Sequence, residues 1–158
     1  MDLGARKYKY LVAAVVQGLL LYFWFKPFVK TSYTLEGLSE FAGTEEYLCN
    51  NGMEAVNIAF VALSVFGTAL FLLPVSVKHK KFTRMIDIPA VLAVFVGVGS
   101  GLFVFNKLQV AARVSTEYGV PAVCSFTFKA LVFFALAALQ LFICVVCRIQ
   151  AKREKLLQ

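Results

Sequence analysis

Residues 53–77 read MEAVNIAFVALSVFGTALFLLPVSV, and after Glu54 no charged side chain appears until Lys78. A run of about 20 mostly apolar residues crosses about 30 Å of hydrocarbon when helical. Lipid offers the backbone no hydrogen bonds, so the segment must satisfy its own as a helix. It does not alternate as a strand of a membrane barrel would. Three further runs share this character, at about 10–28, 88–110 and 126–147. Together they predict an all-α membrane protein with one domain over residues 1–158, a bundle of four transmembrane helices. Composition agrees. The chain is 60% hydrophobic and 16% charged, against about 45–50% and about 25% in soluble domains. An ordinary soluble enzyme, a disordered chain and a nucleic-acid partner are all disfavoured.

The first run is not expected to be a cleavable signal. Tyr22, Phe23, Trp24 and Phe25 stand where small residues would be needed, and they predict an interfacial aromatic belt. Lys26 and Pro27 then end the helix, because proline has no N–H to donate.

The net charge of +7 is unevenly placed. Arg6, Lys7 and Lys9 precede the first run, and Lys78, Lys80, Lys81 and Arg84 fill the short second loop. Arg148, Lys152, Arg153 and Lys155 follow the fourth run. Basic residues gather on the cytoplasmic side of short loops, so both termini and loop two are expected there. That face carries eleven basic and three acidic residues, the other five basic and six acidic. The basic face predicts contact with anionic lipid head groups, at about 1 kcal/mol per cation near the surface. Loop one (29–52) is acidic. Loop three (111–125) holds the turn signal Gly119-Val120-Pro121. There is no Asn-x-Ser/Thr site for glycosylation. An integral, multi-pass protein of the plasma membrane or a secretory-pathway membrane follows.

Cys49 and Cys124 each precede a helix on the expected outer face, where disulfides persist. An intrachain Cys49–Cys124 disulfide is predicted, against free thiols or a bond to another chain. Cys144 and Cys147 form a Cys-x-x-Cys at the opposite face. Packing or lipid-facing cysteines, acylation beside the basic tail and a redox dithiol are open readings. One histidine, His79, and two cysteines do not make a four-ligand zinc set. No cofactor and no metal are expected.

Gln17, Asn57, Ser100 and Gln140 are the polar residues of note within the runs, with Ser64 and Thr68. All are neutral, which predicts hydrogen bonds between helices and not an ion path. Asp87 precedes Pro89 at the start of the third run and reads as a helix N-cap. Gly97 and Gly101, and Ala14 and Gly18, make small-xxx-small steps that permit close approach inside the bundle or to a second protomer.

No HExxH, GxSxG, phosphate-binding glycine loop or pair of carboxylates within a run is present. Glutathione-dependent eicosanoid synthases have a similar size but a basic first cytosolic loop, where loop one here is acidic. Quinone-linked disulfide oxidases and vitamin K epoxide reductases carry an outward Cys-x-x-Cys, where this one points inward.

The cytosolic termini, modest outer loops and short basic inner loop resemble the MARVEL-type tetraspans, and among them the Casparian-strip membrane proteins. Phe71-Leu72-Leu73-Pro74-Val75-Ser76-Val77 resembles the Leu-Pro-Leu-Ser exit of that family's second helix, and Asp87 its helix-three aspartate. The family's helix-one arginine has no counterpart, and Gln17 occupies the run instead. Claudins are less similar, since their longer first loop carries a Trp…Leu-Trp…Cys…Cys pattern absent here. The resemblance implies a non-enzymatic tetraspan that self-associates or binds other membrane proteins to organise a membrane domain, junction or vesicle. An accessory subunit of a channel, transporter or larger complex, and a thiol-dependent membrane enzyme, are the alternatives.

Overall fold

The structure is a computed structural model that describes residues 3–35, 38–50, 53–76 and 86–156. Four helices dominate: α1 Leu3–Trp24, α2 Glu54–Ser76, α3 Ile88–Glu117 and α4 Phe128–Leu156. Three contain stretches long and apolar enough to cross a membrane, Glu54–Leu73, Ile88–Glu117 and Phe128–Gln150, and α1 adds the shorter Tyr8–Trp24. This is the architecture of a multi-pass, membrane-embedded helical protein. α1 packs on α2 and α4, and α3 packs on the same two, so the helices close into a ring.

The inward faces explain the ring. Among the described side chains of α4 the buried residues are Ala130, Phe133, Ala137, Gln140, Cys144 and Cys147, three and four apart in turn. α1 repeats the spacing with Ala13, Gln17, Leu20 and Trp24, and α2 with Phe60, Ser64, Gly67 and Phe71. This alternation lets neighbouring helices pack along a slowly coiling seam. Phe66, Phe95, Phe103 and Phe142 point outward and stay exposed, as suits side chains whose solvent is lipid.

The all-α expectation needs correction at one end of the bundle. β1 Pro27–Leu35, β2 Leu38–Tyr47 and β3 Ala122–Phe126 form an antiparallel sheet in the order β2-β1-β3. β1 sits between the other two, with Thr31 opposite both Thr44 and Cys124. Val29, Thr31 and Tyr33 recur at alternate positions of β1, and such residues suit a pleated surface. The sequence therefore holds a strand signal in what reads as an acidic loop. β3 has only five residues, and its partner lies about ninety positions away.

Helix ends shift accordingly. α1 stops at Trp24 and not near residue 28, because a turn closed by Lys26 N–H to Phe23 O (3.1 Å) leads into the strand at Pro27. α3 runs seven residues past 110 to Glu117. It ends on Gly119, whose φ of 84° is a left-handed turn that glycine adopts without strain. α4 begins two residues later than expected and extends to Leu156. Thr127 ties its start to the sheet, donating from Oγ1 to Pro27 O (2.6 Å) and from its N–H to Phe28 O (3.0 Å).

Candidate functional site

Between the sheet and mid-bundle the core is aromatic. Trp24 stacks on Phe60 with centroids 4.0 Å apart, and Phe28 meets Phe133 and Phe134 edge-on at 5.6 and 5.3 Å. The expected interfacial belt is therefore split. Tyr22 and Phe25 are exposed, but Trp24 is fully buried. A helical face turns by 100° per residue, so four consecutive aromatics cannot all point one way. Lys26 sits over the Tyr22 ring, 4.4 Å from its centroid.

α3 makes room for these rings. A Cβ on Gly97 would stand 2.8 Å from both Phe133 and Phe60, and one on Gly101 would stand 2.6 Å from Phe28. The Gly97–Gly101 step is thus filled from inside, by aromatic rings. The Ala14–Gly18 step is divided. Ala14 is buried, whereas Gly18 has nothing within 4 Å of where its Cβ would be.

At mid-bundle, Gln17 Nε2 donates to Ser64 Oγ at 3.1 Å, joining α1 to α2. Gln140 on α4 is fully buried. Gln17 Oε1 and both carboxamide atoms of Gln140 have no protein partner, and the same is true of Trp24 Nε1 and Asn57 Oδ1. The other polar residues do not bridge long helices as expected. Ser100 Oγ donates to Val96 O (2.5 Å) and Thr68 Oγ1 to Ser64 O (2.8 Å), each within its own helix. Asn57 Nδ2 donates to Cys49 O at 2.8 Å, holding the short 3-10 turn Leu48–Asn50 against α2.

The end opposite the sheet is tied by charge. Asp87, at the start of α3, accepts from Arg148 Nε on α4. Its carboxylate makes no capping bond to α3, so the residue holds the N-cap position while its side chain serves α4. The Asp87 side chain is 7% exposed and that of Arg148 57%. Lys9 Nζ donates to Gln150 Oε1 at 2.8 Å, joining α1 to α4. The N-terminal part of α1 and the C-terminal part of α4 therefore lie together at this end. The topology predicted from the four runs already brought Asp87 and Arg148 to one face, which is the signal a capping reading overlooks.

All four cysteines are thiols, and the expected Cys49–Cys124 disulfide is absent. Cys124 faces α3 from β3: its Sγ donates to Leu108 O at 3.3 Å and lies 3.5 Å from Thr31 Oγ1. Cys144 and Cys147 are buried in the bundle, Cys144 among Ala13, Ala14, Phe71, Ile86 and Ala90. That burial turns both away from the lipid face on which acylation would act. Lys78, Lys80, Lys81 and Arg84 lie outside the described residues, as do the side chains of Lys152, Arg153 and Lys155. Among the described residues no group of three His, Cys, Asp or Glu is placed to hold a metal ion.

Fold and site together define a class, a multi-pass helical membrane protein with a small antiparallel sheet at one end of the bundle. No protein-family model matches the chain, and neither a curated protein nor a solved structure matches it.

Proposed function

We propose that the chain is a non-catalytic tetraspan that associates laterally, with itself or with other membrane proteins, to organise a membrane domain, junction or vesicle. The observation that carries the reading is how the polar groups of the bundle are used. Asp87, Arg148, Lys9, Gln150, Gln17 and Ser64 engage one another across helices. These bonds tie helices together, which supports a packing role for the groups that make them. The sheet, by contrast, lies at the end where α1 stops and α2 and α4 begin, against the C-terminal half of α3, and β2 pairs on one side only among the described strands. Such an edge is a template for another chain. In this reading the chain ends and basic loop two face the cytoplasm, the sheet faces outside or a lumen, and the basic face binds anionic lipid.

In-cell crosslinking followed by mild detergent extraction tests the proposal. Discrete oligomers, or stoichiometric complexes of comparable membrane proteins, are expected. A strict monomer with no crosslinks would overturn it. One large stoichiometric channel or transporter partner would replace it with the accessory-subunit reading.

A further inference from the structure

Gln17 and Gln140 occupy slots on the inward seams of α1 and α4 that their neighbours fill with Leu20, Trp24, Phe133 and Ala137. They also lie at one depth. Trp24 and Phe133, whose rings are 6.3 Å apart, each stand seven residues toward the sheet from the respective glutamine, or about 10 Å along a helix. On the other side, the bonded pair Lys9 and Gln150 stands eight and ten residues away. Two packed helices thus bring two buried carboxamides to the same level, with Ser64 of α2 already on one of them.

Three of their four polar atoms have no protein partner: Gln17 Oε1, Gln140 Oε1 and Gln140 Nε2. Burying an amide without a hydrogen bond is strongly unfavourable, and mid-bundle no bulk water can relieve it. The unpartnered set is mixed. Two carbonyl oxygens disfavour an anion, and an NH₂ group disfavours a cation. A small neutral species that both donates and accepts fits, and buried waters commonly make about three such bonds.

We infer that Gln17, Ser64 and Gln140 form a buried hydration site, in which one water molecule bridges the carboxamides of α1 and α4. The site fixes helix register. A polar residue in a packing seam penalises every alignment that leaves it facing only apolar neighbours.

The test uses the full chain in lipid nanodiscs, labelled with 15N-glutamine. Magnetisation transfer from water to side-chain NH₂ groups is measured, with assignment by Gln17→Leu and Gln140→Leu. The Gln140 NH₂ should receive transfer from a slowly exchanging water, and Gln17→Leu should reduce that transfer to background. No water transfer at Gln140, with direct contact between the two carboxamides, would overturn the site. A crystal structure of the unaltered chain from a lipidic phase needs no variant to fold. Density within hydrogen-bond distance of both glutamines supports the site, and two carboxamides bonded directly to each other overturn it.

Discussion

The sheet half of the bundle and the opposite half are held together by different means. Near the sheet, Trp24, Phe28, Phe60 and Phe133 fill the interior, and α3 answers with Gly97 and Gly101. At the other end, the core is mostly small, with Ala13, Ala14, Ala90 and Cys144 around Phe71 and Ile86. There the ties are Asp87–Arg148 and Lys9–Gln150. The difference teaches how a bundle is stabilised when lipid removes most of the hydrophobic driving force between helices. What remains is close packing and hydrogen bonding. One half relies on ring volume against missing side chains, the other on polar bonds around small residues.

Variants can break or sharpen that contrast. Phe133→Ala should cost most, because it empties a site shared by Trp24, Phe28 and Phe60. A loss of about 3 kcal/mol is expected, the low end for such truncations, since unfolded helices in lipid regain the transfer part of the energy. Steric trapping in bicelles measures it. Gly101→Ala is next, at about 1–3 kcal/mol of overpacking, because its Cβ would stand 2.6 Å from Phe28. A neutral result by the same assay would show that the aromatic half is plastic.

Arg148→Leu leaves the buried Asp87 carboxylate without its partner. About 1 kcal/mol is expected, toward the low end for such a loss because the exposed guanidinium is screened by water. Its effect should shrink when Asp87→Asn is added, and that coupling would be seen in a double-mutant cycle. Gly18→Ala should be smallest, within a few tenths of a kcal/mol or slightly stabilising, since nothing lies near its Cβ and alanine favours the helix. The Gly101 and Gly18 results together separate a glycine needed for packing from one that merely occupies a helix.

Much of this was legible in residue order. The four apolar runs locate α1 to α4, and α2 falls within a residue of its expected ends. Asp87 is at the start of α3 as expected, and Gly119 makes the expected turn. The sheet was less legible, because β1 pairs with two distant segments and β3 is short. The site was the least legible. Gln17, Gln140 and Ser100 look alike in the sequence, yet Gln17 bonds across helices, Ser100 within its own, and Gln140 to no protein group.

Residue order by itself determined the helices and which chain segments share an end, because hydrocarbon length and backbone hydrogen bonding leave an apolar run few alternatives. It also supplied the basic bias of one end. Only the tertiary structure decided which face of each helix turns inward. That choice put Trp24 in the core while Tyr22 and Phe25 stayed outside, filled the Gly97–Gly101 step with rings, and gave Asp87 to Arg148. The physical reason is that packing depends on the shapes of neighbours brought together by the fold, whereas membrane insertion depends on each segment almost alone.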